Sequence, residues 1–197
     1  ADASHELRTP LTALRSVGEV GLRAARDPAA YREIIGSMLE EADRLARLVD
    51  TLLTLARTDA GTMALRPAPV DLGELARAAA DSLAVLSEDK ELTVRVEADG
   101  RAPVRADPLV LRQAVVNLVD NAIKQCPRQG TIRLVIGTGT GESWLDVIDS
   151  GPGIAPEHVE RIFERFYRVD PARSADHGGH GLGLAIARRM EQLHGGR

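Results

Sequence analysis

Three short stretches of the chain put polar groups where a polyphosphate could be held. In NLVDNAIK, Asn117, Asn121 and Lys124 stand at i, i+4 and i+7, which is one face of a helix. Two amides and an ammonium among Val, Leu and Ile are costly to bury without partners. Amide oxygens suit Mg2+ and a lysine suits phosphate oxygens, although a solvated polar stripe is the plainer alternative. In DSGPGI, Asp149 is followed by Gly151 and Gly153. A tight turn accounts for this pattern. So does a ligand that approaches the glycine backbone while the carboxylate accepts a hydrogen bond from an exocyclic amino group such as that of adenine. In GGHGLGLAIAR, Gly179, Gly181 and Gly183 open a helix. The N–H groups at such a start attract phosphate, and a flexible linker explains the glycines about as well. Their spacing is not that of the dinucleotide fingerprint.

A fourth stretch, SHELRTPLT, carries different chemistry. His5 sits beside Glu6, with Thr9 one turn later and Pro10 inside a helical pattern. A neutral imidazole is a nucleophile near neutral pH, and a carboxylate can hold its tautomer and take its proton. The two side chains are about 100° apart around a helix, so pairing them requires a side-chain rotation. Pro10 removes the N–H that would bond to the carbonyl of Glu6, which predicts a local bend beside the histidine.

The elements that position these residues are legible in outline. Residues 1–58 read as two long helices. Leu7, Leu11, Leu14 and Gly18 recur at helical spacing in the first. Asp27 and Pro28 read as the N-cap and first residue of the second. In that helix Met38, Leu45 and Leu52 lie seven apart, as do Leu48 and Leu55. This heptad seam needs a facing helix, and two helices alone bury little, so a dimeric four-helix bundle is expected. The stretch DAGTMALRPAPVDL reads as a linker. Beyond it, Asp71 and Glu74 resemble a capping box before LARAAADSLAVL, and ELTVRVEA alternates like a strand. Asp107-Pro108 starts the helix that carries Asn117. GTIRLVIGTG and SWLDVIDS read as strands joined by a Gly/Thr turn, and a last helix runs from about Leu184 to Leu193. Interleaved helices with hairpin-linked strands predict an α+β sandwich in place of a parallel doubly wound sheet.

Composition narrows the field. The chain has 197 residues, 44% of them hydrophobic, and a formal charge of −4. This allows one large domain or two small ones, and gives no reason to expect a nucleic-acid partner. Aromatic residues make up 3%, too few to expect a stacking platform for single strands. Cys126 is the single cysteine, so no internal disulfide forms. No run of about 18 apolar residues is present, and no signal peptide is recognised. Both ends read as cuts in a longer chain.

The order NxxxNxxK, DxGxGI, GxGLGL resembles the ATP-binding domain shared by sensor histidine kinases and their GHKL ATPase relatives. SHELRTPLT matches the H box of sensor histidine kinases, and RIFERFYR, residues 161–168, resembles their F box. The resemblance covers essentially the whole chain. It implies a helical dimerisation and histidine phosphotransfer domain over residues 1–66, then a Bergerat-type α/β-sandwich catalytic ATP-binding domain over 67–197. The family's last strands would follow HGGR, so this second domain is expected to be C-terminally incomplete.

The resemblance also assigns roles. His5 would be the phosphoacceptor and Glu6 its acidic partner. Thr9 would serve dephosphorylation of a response regulator, the partner whose aspartate receives the phosphoryl group. Asn121 would bind Mg2+ with Asn117 in support, and Lys124 would contact the phosphates of ATP. Asp149 would bond the adenine amino group, with Gly151 and Gly153 shaping the pocket and Gly179, Gly181 and Gly183 lining its phosphate side. Residues 163–180 would form a lid over the nucleotide, with Phe163, Phe166 and Tyr167 either as anchors or as direct participants. Two positions depart from many relatives: Gln125 stands where an aromatic is common, and His180 where a small residue is. The expected whole is a cytoplasmic, homodimeric fragment of a kinase whose parent is anchored in the bacterial inner membrane. A GHKL ATPase without kinase activity and a nucleotide-binding scaffold are the rival readings.

Overall fold

The structure is a computed structural model. It describes residues 2–23, 27–60, 63–169 and 181–196, with residues 2–6 described for backbone alone. The chain divides into two compact units, residues 1–63 and 64–197.

The first unit is a helical hairpin of α1 (Asp2–Leu22) and α2 (Pro28–Asp59). As the sequence suggests, Asp27 caps α2: its carboxylate accepts the N–H of Ala30 at 2.8 Å, and Pro28 follows. There Pro28 supplies a preset φ and lacks an N–H that would otherwise be orphaned. Helix α1 continues through Pro10, which is buried. The two helices approach closely at glycines. A Cβ on Gly18 would stand 3.3 Å from Met38 Cε, and one on Gly21 would stand 3.1 Å from Ile34 Cγ2. Along the expected seam Leu48 and Leu55 are buried, while Met38, Leu45 and Leu52 are half-buried.

The second unit opens with β1 (Ala68–Asp71), α3 (Leu72–Ser82) and α4 (Ala84–Asp89). Then follow β2 (Thr93–Ala98), β3 (Pro103–Ala106), α5 (Pro108–Gln125), β4 (Thr131–Gly139) and β5 (Glu142–Asp149). Helix α6 (Pro156–Val159), a 3-10 turn (Arg161–Phe163) and α7 (Gly183–Leu193) complete the described elements. The main sheet has the order β2-β4-β5, parallel between β2 and β4 and antiparallel between β4 and β5. Thr140 and Gly141 both have positive φ, the conformation a two-residue hairpin turn requires. The architecture is thus the helical region followed by an α/β unit that the sequence indicated, with one parallel strand pair in a mixed sheet.

One expectation is corrected. The supposed linker contains β1, which pairs antiparallel with β3 as a separate ribbon, Ala68 opposite Ala106. Each strand is four residues long and contains a proline, so neither shows the alternation by which strands are read.

The core forms where α3 and α5 cover one face of the sheet. Ile132, Leu134 and Ile136 alternate inward from β4 and meet Leu75, Ala76 and Ala79 of α3 and Val115, Val119 and Ile123 of α5 in one cluster. On the other face Arg133 grips Glu97 with two hydrogen bonds of 2.8 and 2.7 Å. This core presents α5 as a fixed shelf, with its polar face turned away from the sheet.

Candidate functional site

Helix α5 is anchored at both ends. At its start Asp107 is almost fully buried, and its carboxylate accepts the N–H groups of Leu109 (3.0 Å) and Val110 (3.3 Å) through one oxygen and of Arg66 (2.8 Å) through the other. The Arg66 N–H, then those of Val110 and Leu109, hold this carboxyl below its ordinary range against the opposing effect of burial. At the far end Lys90 donates to the carbonyls of Ile123 (2.9 Å), Lys124 (2.9 Å) and Cys126 (3.3 Å). Its three N–H bonds satisfy acceptors that a helix end leaves orphaned.

Between these anchors lies the asparagine face. Asn117, Asn121 and Lys124 are half-buried. The Asn117 Oδ1 accepts from Gln113 Nε2 at 3.0 Å, while its Nδ2 is buried and has no hydrogen-bond partner among the described residues. A buried donor without a partner is costly, so this amide has an unmet capacity to donate among the described residues. Lys124 forms an ion pair of 2.6 Å with Asp120, one turn back.

Helix α7 faces this amide. A Cβ on Gly183 would lie 3.9 Å from Asn117 Cβ. No side chain caps the start of α7, where Leu182 is the N-cap residue, so its first N–H groups keep their capacity for an acceptor. Gly181, at φ +65°, enables the entry: any Cβ there would come within 2.8 Å of the Phe166 backbone, and the Phe166 N–H donates to the Gly181 carbonyl at 2.9 Å. The aromatic residues of RIFERFYR hold this backbone. Tyr167 Oη and His158 Nδ1 are 2.6 Å apart, Arg161 lies 4.2 Å over the Tyr167 ring, and Arg188 lies 5.2 Å over Phe163.

The other end of the shelf meets the glycine turn after β5. Asp149 is exposed, and one carboxylate oxygen accepts the Gly151 N–H at 2.7 Å. A Cβ on Gly151 would stand 2.6 Å from that oxygen and 3.3 Å from the Gln125 carbonyl, so only glycine lets the turn lie against the end of α5. Gly153 has φ +74°. Ser150 stabilises the turn from below: its Oγ accepts the Thr131 N–H at 2.9 Å and lies 3.3 Å from the buried Cys126 Sγ.

The structure thus brings Asn117 and Gly183 together, and Asp149 and Gly151 onto the end of the same helix. Gly179 and His180 lie outside the described residues, as does the lid sequence beyond Val169. His5 and Glu6 lie on α1, but their side chains are outside the described residues. Thr9 is exposed one turn further on, in the same unit. Sequence reading missed Gln113, Lys90 and Asp120. Asp120 was signalled by its i, i+4 spacing to Lys124; Lys90 gives no local signal. Among the described residues no cluster of three or more His, Cys, Asp or Glu could hold a metal. No described helix is long and apolar enough to cross a membrane.

Residues 1–61 match the His Kinase A (phospho-acceptor) domain, and residues 106–197 match the family described as histidine kinase-, DNA gyrase B-, and HSP90-like ATPase. Sensor protein IrlS of Burkholderia pseudomallei is 40% identical over 196 residues, which covers 100% of this chain and 42% of IrlS. Full-length ShkA in complex with AMPPNP superposes with a TM-score of 0.74 at 30% identity, over 98% of this chain and 40% of ShkA. Histidine kinase ThkA in complex with the response regulator TrrA gives a TM-score of 0.76 at 25% identity, over 98% of this chain and 53% of that one. The chain belongs to the sensor histidine kinases of two-component systems. It spans less than half the length of IrlS.

Proposed function

We propose that the chain is the catalytic core of a sensor kinase, which transfers the γ-phosphoryl group of ATP to His5 and then to an aspartate of a response regulator. The observation that carries this reading is the start of α7, without a side-chain cap among the described residues, set against Asn117, whose buried Nδ2 has no partner among them. An anion bound there would receive the α7 N–H groups and the Asn117 amide together. The AMPPNP bound by ShkA supports a nucleotide as that anion, and the TrrA bound by ThkA supports a regulator as partner.

Each residue then has a task. Asp149 keeps one oxygen on Gly151 and offers the other to an adenine amino group. Lys124 exchanges part of its pairing with Asp120 for phosphate oxygens. Mg2+, if bound, would neutralise phosphate charge. Asn121 would hold it through its amide oxygen. Asn117 supports the site as a donor, because its oxygen already accepts from Gln113. Its use as a metal ligand would require both amides to turn over. In the transfer step the His5 ring nitrogen bonds to the γ-phosphorus, the bond to the β–γ bridging oxygen breaks, and ADP leaves. Glu6 takes the ring proton. Positioning and charge neutralisation supply most of the acceleration in such transfers.

The domains are read as phosphoacceptor and dimerisation over residues 1–66 and catalysis over 67–197, in a cytoplasmic part of a membrane-anchored parent. Dimerisation is supported by a second apolar stripe on α2, in which Ile35, Leu39, Ala42, Ala46, Val49 and Leu53 keep heptad spacing and are all exposed. A facing pair of helices from a second copy would cover it.

Incubation with γ-labelled ATP and Mg2+ tests the transfer. The label is expected on the protein, stable to alkali and labile to acid, and absent from His5→Gln. Labelling of His5→Gln at the wild-type level would remove the assignment. Thr9, exposed one turn from His5, is read as aligning water on the phosphorylated regulator. Thr9→Ala is then expected to keep autophosphorylation and lose most regulator dephosphorylation; unchanged dephosphorylation would leave Thr9 as a plain helix residue.

A further inference from the structure

Helices α5 and α7 pack against each other and run antiparallel. Asn117 meets Gly183 at one end, and Asp107 meets His194 at the other. The contact at the second end is directional. The Asp107 N–H donates to His194 Nε2 at 2.9 Å, and His194 Nδ1 lies 2.7 Å from the Met190 carbonyl. A carbonyl only accepts, so Nδ1 carries the proton and Nε2 presents a lone pair. The imidazole is thereby fixed as one neutral tautomer. Asp107 in turn uses its carboxylate on α5 and on Arg66, at the entry of the chain into this unit. One residue therefore joins the entering segment at Arg66, the start of α5 and the end of α7.

Apart from the Asp107–His194 bond, the buried side chains that α7 brings to this contact are apolar. Ala185, Ile186, Ala187 and Met190 of α7 are buried, but they stand outside the cluster that unites α3, α5 and the sheet. Alanines offer shallow ridges, and apolar contact is non-directional. The two ends of the pair are about 15 Å apart, the length of ten helical residues. A tilt of about 4° about the Asp107–His194 contact shifts the start of α7 by about 1 Å over that length. A misplacement of this size is enough to impair a preorganised site.

We propose that Asp107 and His194 are positioning residues which, through the Asp107 N–H···Nε2 bond, set the start of α7 against Asn117 at the opposite end of the helix pair. The inference rests on the reading of that opposite end as the nucleotide site. It concerns the bond between the helices and not a contact with nucleotide.

The test uses the full chain with AMPPNP and Mg2+. His194→Leu removes the acceptor, and His194→Gln returns an amide oxygen within reach of the Asp107 N–H. His194→Leu is expected to raise the Kd for AMPPNP and the KM for ATP by up to about fivefold, the worth of one hydrogen bond being the ceiling because a bond already present without nucleotide changes affinity only by what it gains on binding, with little change in the rate at saturating ATP. His194→Gln is expected to recover most of the loss. Because coupling is reciprocal, AMPPNP should slow hydrogen exchange at the Asp107 amide in the wild type. Wild-type affinity in His194→Leu, or no change in Asp107 exchange on binding, overturns the proposal. The exchange measurement needs no variant and stands even where His194→Leu does not fold. Failure of the wild type to bind AMPPNP at all overturns the nucleotide reading instead.

Discussion

The helical hairpin and the α/β unit bury their apolar residues to very different degrees. In the α/β unit Ile132 and Leu134 are wholly inaccessible, and they sit in a continuous cluster drawn from two helices and a sheet. In the hairpin Leu48 and Leu55 are buried, while Leu39 remains 61% and Leu53 49% exposed. A hydrophobic residue left in water forfeits the free energy that its burial would supply. The α/β unit therefore builds a continuous core of its own, although Val85 and Leu109 stay exposed on it, whereas the hairpin carries a heptad-spaced apolar stripe along α2. In the proposed division of labour this difference is useful. The unit that positions nucleotide needs a rigid shelf under Asn117, and the unit that presents His5 needs an interface with a second copy.

The largest expected effect breaks the comparison from the side of the α/β unit. Leu134→Ala removes buried methyl groups from a packed cluster, which costs about 2–5 kcal/mol. Trp144, the single tryptophan, lies on β5 over Gly137, so its fluorescence follows the unfolding of this unit alone. The midpoint should fall sharply, and by the same amount at every protein concentration. Leu53→Asp should do the reverse. It should leave the Trp144 transition in place and shift the chain from dimer to monomer in sedimentation. A dimer that withstands Leu53→Asp would show that the exposed stripe is not its interface.

What the sequence revealed follows the same division. The hairpin was legible because its signals are local: Asp27-Pro28 marks a helix start, and heptads repeat within one element. The second stripe on α2 escaped because Ala42 and Ala46 interrupt the larger residues, and because exposure is not a property of spacing. In the α/β unit, Asp71 and Asp107 marked helix starts and the β4–β5 turn marked a hairpin. Strands β1 and β3 did not register, since each is only four residues long and contains a proline. The asparagine face could be read on α5 from spacing alone. Its meeting with Gly183 could not, because that contact depends on how α7 packs, and the role of Lys90 depends on carbonyls 33 to 36 residues away in sequence. Local chemistry shows in a sequence, while juxtaposition across elements is decided by packing.

The smallest expected effect sharpens the comparison through acid. In the α/β unit Asp71 and Asp107 are helix N-caps whose carboxyls are held below their ordinary range. For Asp71 the main cause is the Glu74 N–H, followed after opposing desolvation by those of Ala102 and Gly73, with Arg101 adding to them. For Asp107 it is the Arg66 N–H, followed after opposing burial by those of Val110 and Leu109. A carboxyl with a lower pKa in the folded than in the unfolded state binds fewer protons when folded. Its contribution is therefore complete above the unfolded value and is lost as pH falls through the folded one. Both groups have an ordinary value of 3.8, so the Trp144 midpoint should be insensitive to these two caps between neutrality and about pH 5, and should fall below about pH 4. Asp107→Asn should lower the midpoint near neutrality, because an amide cannot accept at both ends, and should flatten the acid limb. An acid limb as steep in Asp107→Asn as in the wild type would show that the Asp107 carboxylate does not contribute to it, and that the α/β unit gives way to acid elsewhere.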